Sequence, residues 1–99
     1  MIVLAAFFQA KPGREAELEA ALRAMIPETH KEAGALEYVL HRAKDDASRF
    51  FFYEKYRDQT ALDAHAASSY LKTLLEKAPE LCASAPVVTA YEPLASIHD

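Results

Sequence analysis

Two stretches of this chain, residues 2–10 and 49–57, place apolar side chains on both faces of an extended backbone. That narrows the choice of fold more than any other feature. Alternate residues of a strand point to opposite sides. In the first stretch Ile2, Leu4, Ala6 and Phe8 share one side, and Val3, Ala5 and Phe7 the other. In the second, Phe50, Phe51, Phe52, Tyr53 and Tyr56 crowd one strand with the aromatic residues that pleated surfaces favour. Each strand therefore needs a cover on both faces, yet 99 residues supply only one hydrophobic core.

The intervening segments say what the first cover is. Lys11-Pro12-Gly13 stops the first strand, and from Arg14 the apolar period becomes helical. Leu18, Leu22, Met25 and Ile26 form one stripe, while Arg14, Glu15, Glu17, Glu19 and Arg23 face water. Pro27 is expected to kink that helix or end its regular part, and Gly34 to close the segment. Residues 36–43 alternate again, with Leu36, Tyr38 and Leu40 opposite Glu37, Val39 and His41. Lys44-Asp45-Asp46-Ala47-Ser48 is a polar turn of hairpin length. Asp58 or Thr60 caps a short helix carrying Leu62 and His65, with Asp63 completing a capping box after Thr60. Ser68 or Ser69 caps another through Tyr70, Leu71, Leu74 and Leu75, which Pro79 bends and Pro86 ends. Residues 87–94 read as the last strand, followed by a tail at 95–99.

The order β-α-β-β-α-β predicts one α+β domain over residues 1–99, with its core in 2–94 and an antiparallel sheet carrying both helical segments on one face. The other face would then expose an apolar patch larger than monomers usually tolerate. A second copy of the chain is the simplest cover, because two-fold dimers are the commonest oligomers. The expected assembly is a homodimer.

Charge and cysteine content restrict partners and compartment. Fifteen acidic residues against eleven basic ones give a net charge of −4, which argues against nucleic acid and against an anionic membrane surface. Cys82 is the only cysteine, so no intrachain disulfide forms, as suits a reducing compartment. The apolar start, residues 1–8, is too short to span a bilayer and lacks the basic residues of a secretory leader. The expected location is the cytoplasm.

The run Phe51-Phe52-Tyr53-Glu54-Lys55-Tyr56-Arg57-Asp58, followed by Ala61-Leu62, His65 and Ser68, resembles the antibiotic biosynthesis monooxygenase family, in its quinol-monooxygenase-like branch. Lys11-Pro12-Gly13, Gly34, Asp45-Asp46 and Tyr91-Glu92-Pro93 match the same pattern, so the resemblance runs from Ile2 to Leu94. It implies a ferredoxin-like fold, the dimeric α+β barrel assembly, and a ligand pocket between sheet and helices. Members of that family include cofactor-free oxygenases of quinols and polyketide phenols, haem-degrading enzymes, isomerases of small signalling molecules, and proteins without a known substrate. The chain contains neither Trp nor Asn, and Leu75 stands where the resemblance would place an iron-binding His. Haem degradation is therefore not implied.

What remains is chemistry that needs no cofactor. A phenol or hydroquinone donates electrons to dioxygen once it loses a proton, so the protein must supply a base, a dry pocket and orientation. His65 is the candidate base, by the range in which imidazole titrates and by the position the resemblance assigns to it. Glu54 would orient that His or take a proton itself if burial raises its pKa. Phe52 and Tyr56 share a strand face with Glu54 and would bind substrate, together with Ser68 and Tyr70. Plainer roles stand beside these. His65 and Tyr70 could simply pack, Phe52 belong to the core, Ser68 cap a helix, and Glu54 bind backbone amides or an Arg at the dimer interface. His30, His41, His65 and His98 lack metal-ligand spacing, and Gly13 and Gly34 alone cannot build a nucleotide-binding loop. Three functions stay open: a monooxygenase of a small aromatic quinol or phenol, an isomerase or tautomerase of a small oxygenated metabolite, and a non-catalytic dimeric module for a small apolar or aromatic ligand.

Overall fold

A computed structural model describes residues 1–98; of the tail read at 95–99, Asp99 lies outside the described residues. The elements run β1 (Ile2–Gln9), α1 (Glu15–Arg23), α2 (Met25–His30), β2 (Ala35–Arg42), β3 (Arg49–Tyr56), α3 (Gln59–Ala66), α4 (Ser69–Leu81) and β4 (Val87–Tyr91). The strands form one antiparallel sheet in the order β2-β3-β1-β4, the ferredoxin-like arrangement. Helices α1 and α2 connect β1 to β2, and α3 and α4 connect β3 to β4.

Register decides which face of the sheet is covered. Leu4 pairs with Glu54, Ala6 with Phe52 and Phe8 with Phe50, and all six are buried. Leu18, Leu22 and Met25 from α1 and α2, and Leu74, Ala78 and Leu81 from α4, complete the core. Burying a side chain such as Leu18 contributes about 1.5–3 kcal/mol. Phe52, Glu54 and Tyr56 therefore lie beneath the helices, a choice between faces that alternation alone left open. On the opposite face Phe7 stacks on Phe51 with ring centroids 5.5 Å apart, and His41 on Phe51 at 4.4 Å. Phe7 is 48% exposed there, and Val39, Val87 and Tyr91 are exposed with it.

Four details depart from the pattern read along the chain. The helical run breaks at Ala24, between α1 and α2, three residues ahead of Pro27. Pro27 has no N–H for the carbonyl of Arg23 and its ring crowds that oxygen, so the ladder ends there. Gly34 is not a left-handed helix terminator, since Gly13, with φ of 84°, is the one described residue with positive φ. Gly34 is instead a point of close approach, where a Cβ would fall 2.3 Å from the Cβ of Ala61 on α3. Asp58, in extended conformation, caps α3 by accepting from the Ala61 amide at 2.9 Å. Thr60 lies inside that helix, and Asp63 accepts from Gln59 at 2.8 Å, so the expected Thr60–Asp63 box is not used. Strand β4 stops at Tyr91, opposite Val3, because β1 has almost run out and Pro93 has no N–H to pair.

Candidate active site

Strand β3 delivers two side chains to one point. Glu54 and Tyr56 are two residues apart, so both project under the helices, and the Tyr56 hydroxyl donates to Glu54 Oε1 at 2.6 Å. Two residues separate β3 from α3, which brings that helix back over the end of the strand. Seven residues after its cap Asp58, two helical turns on, His65 points inward and is 3% exposed.

The imidazole sits between two carboxylates. His65 Nδ1 lies 3.0 Å from Glu32 Oε2, and His65 Nε2 lies 3.8 Å from Glu54 Oε1. The Tyr70 hydroxyl, from α4, donates to the same Oε2 of Glu32. The rings of Tyr56, Tyr38 and Tyr70 surround the imidazole at centroid distances of 5.2, 5.4 and 6.4 Å. Two further buried polar atoms, Thr29 Oγ1 and Glu32 Oε1, have no hydrogen-bond partner among the described residues.

Burial dominates the electrostatics. It pushes the Glu54 carboxyl above the usual carboxylate range, against the Tyr56 hydrogen bond and the nearby His65, which pull it down. Burial, reinforced by the Glu54 hydrogen bond and charge, pushes the Tyr56 phenol far up. Burial and the Glu54 charge raise the Tyr38 phenol likewise. Both phenols therefore stay protonated at neutral pH. The carboxylates meet different ring nitrogens of His65 and do not converge. Among the described residues no three His, Cys, Asp or Glu side chains form a group that could hold a metal ion.

His65, Glu54, Tyr56 and Tyr70 thus belong to one cluster. Phe52 stands behind it in the core, stacked on Tyr38 at 4.3 Å. The Ser68 hydroxyl is turned to the α3–α4 junction, donating to the His65 carbonyl at 2.7 Å and accepting from the Leu71 amide at 3.4 Å. A groove of about 420 Å³ runs along the β2 edge, lined in part by Arg23, Ile26, Tyr38, Leu40, Arg42 and Phe50. Tyr38 both lines this groove and packs on His65, which places the groove beside the cluster. Glu32 and Tyr38 did not emerge as candidates from the sequence. Tyr38 did show the right strand parity, whereas Glu32, in Lys31-Glu32-Ala33-Gly34, reads as part of a solvated turn.

No helix among the described residues is long and apolar enough to cross a membrane. The family model described as antibiotic biosynthesis monooxygenase matches residues 1–77. A Mycobacterium tuberculosis protein bearing the name "Putative monooxygenase" is 32% identical over 93 residues, covering 94% of this chain and 91% of that protein. The solved structure of a Mycobacterium tuberculosis protein superposes with a TM-score of 0.90 at 30% identity, covering 97% of each chain. A Shewanella oneidensis crystal structure gives 0.87 at 37% identity, covering 91% of this chain and 87% of that one. An uncharacterized protein of Synechocystis is 29% identical over 91 residues, which are 92% of this chain but 62% of that longer protein. With the match spanning most of the chain and the fold agreeing throughout, the protein belongs to the antibiotic biosynthesis monooxygenase family.

Proposed function

We propose that this protein is a cofactor-independent monooxygenase of a small aromatic quinol or phenol, with His65 as general base and Glu54 as its acid–base partner. One observation carries the reading: a buried imidazole is hydrogen-bonded through Nδ1, while Nε2 faces a carboxyl group whose pKa burial raises. A base with one free nitrogen in a dry, tyrosine-walled site is what deprotonation of a phenol requires.

His65 Nε2 takes the phenolic proton, and the resulting anion gives an electron to dioxygen. Collapse of the radical pair forms a carbon–oxygen bond, and loss of water leaves the oxidised product. For a hydroquinone the balance is quinol plus O₂ to hydroxyquinone plus water, so the substrate supplies every electron. The ring rests in the β2-edge groove, and Tyr38 must turn aside before its hydroxyl meets His65. Tyr56 and Tyr70 hold the two carboxylates, Phe52 backs Tyr38, and Ser68 fixes the His65 end of α3. The enzyme works as a homodimer through the open sheet face, in the cytoplasm, where Cys82 stays a buried thiol.

Oxygen consumption by the metal-free protein, measured against a panel of hydroquinones and polycyclic phenols beside His65→Gln, tests this. The expected result is uptake above autoxidation, falling about 10²- to 10⁴-fold in the variant. Absence of uptake with every substrate, or full activity in a folded His65→Gln protein, contradicts it. One observation also favours proton shuttling without oxygen: a carboxyl inclined to hold its proton faces an imidazole nitrogen with no hydrogen-bond partner among the described residues. Such an isomerase would turn over equally well under anaerobic conditions.

A further inference from the structure

Glu32 has no role in the reaction as written, yet its carboxylate makes the hydrogen bond to the His65 ring. We propose that Glu32 is a positioning residue that fixes His65 in the Nδ1–H tautomer and leaves Nε2 as the nitrogen that takes the substrate proton. The inference rests on the base assignment above and specifies which face of the ring works.

The geometry is one-sided. Nδ1 lies at hydrogen-bond distance, 3.0 Å, from Glu32 Oε2, whereas Nε2 and Glu54 Oε1 are 3.8 Å apart, beyond a direct bond. Glu32 Oε2 also accepts from the Tyr70 hydroxyl, and a carboxylate oxygen has a second lone pair for an N–H donor. A proton on Nδ1 would complete the contact with that oxygen. Glu54 Oε1 is already occupied by the Tyr56 hydroxyl. The tyrosines thus assign the two carboxylates: Tyr70 holds Glu32 to the ring, and Tyr56 holds Glu54 away from it.

The consequence is chemical. A carboxylate on Nδ1–H orients the ring and stabilises the imidazolium that forms when Nε2 accepts a proton. The groups facing this ring come from every neighbouring element: Glu32 before β2, Tyr38 on β2, Glu54 and Tyr56 on β3, and Tyr70 on α4. Among them Glu32 is the one whose hydrogen bond to a ring nitrogen is seen.

Long-range ¹H–¹⁵N spectra of protein labelled at histidine report the tautomer directly, with His65 assigned by the signal lost in His65→Gln. Neutral His65 in the unaltered protein is expected as the Nδ1–H form, opposite to the preference of the free histidine side chain. Glu32→Ala is expected to revert toward Nε2–H. Glu32→Gln keeps an acceptor oxygen without the charge, so it should retain the Nδ1–H form while lowering turnover about 10- to 100-fold, as loss of an orienting partner does. An Nε2–H tautomer in the unaltered protein overturns the proposal even if Glu32→Ala fails to fold. An Nδ1–H tautomer that persists in folded Glu32→Ala overturns it too. A tautomer that follows Glu32 in a protein consuming no oxygen upholds the proposal and removes only the oxygenase reading.

Discussion

Glu54 is held under the helices with the Tyr56 hydroxyl as its one hydrogen-bond partner among the described residues, and this makes stability depend on pH in a definite direction. Its folded pKa lies above the unfolded value of 4.5 because burial disfavours the charged form. The folded state therefore binds that proton more tightly than the unfolded chain. The resulting stability is complete below the unfolded pKa and is lost as pH rises through the folded one. Each tenfold difference in proton affinity is worth about 1.4 kcal/mol. Glu54→Gln abolishes this titration, so the melting temperature of the variant relative to the natural protein should improve between acid and neutral pH. An equal difference at both pH values would contradict the burial of a strained carboxyl. His65 and Glu54 were candidates from the sequence, one through the family resemblance and the other through strand parity, and the fold brings the two together. Glu32 was not, because a charged residue between a helix and a glycine looks solvated until α3 and α4 close over it.

At the scale of elements, the approach of α3 to the segment before β2 sets the distance between His65 and Glu32. Gly34 permits it: a methyl group there would lie 2.3 Å from the Ala61 Cβ. Gly34→Ala should cost about 1–3 kcal/mol by overpacking, read as a lower denaturant midpoint. Adding Ala61→Gly to the same chain should recover most of that loss, and failure to recover it would remove close packing as the reason for the glycine. All four strands, the stripe of α1 and the pair of helices before β4 were readable from period and punctuation. Pro27 interrupts the helical run as expected, and the break falls at Ala24 because proline acts on the carbonyl four positions back. The capping of α3 fell to Asp58, an alternative already visible, since the chain is still extended there. The purpose of Gly34 was hidden for another reason: a contact between residues 34 and 61 leaves no periodic trace.

For the whole molecule, the decisive feature is the sheet face that no helix covers. Phe7, Phe51, Val39, Val87 and Tyr91 form a surface suited to a second copy of the chain, with the Phe7–Phe51–His41 stack at one end. Light scattering should give twice the chain mass of 11.0 kDa, and Phe7→Glu should halve it while the circular dichroism is retained. A monomeric natural protein would contradict the dimer. The two-faced apolar strands made the uncovered face readable from sequence, whereas the packing of Tyr38 on His65 is visible only in the folded chain. Oxygen transfer driven by a buried histidine is tested most directly by ¹⁸O₂ labelling of the product, using metal-free protein and an active quinol or phenol. One labelled oxygen atom in the product, with the other in water and neither appearing with His65→Gln, is the predicted result. Product that forms without label, or at the same rate under anaerobic conditions, would contradict it.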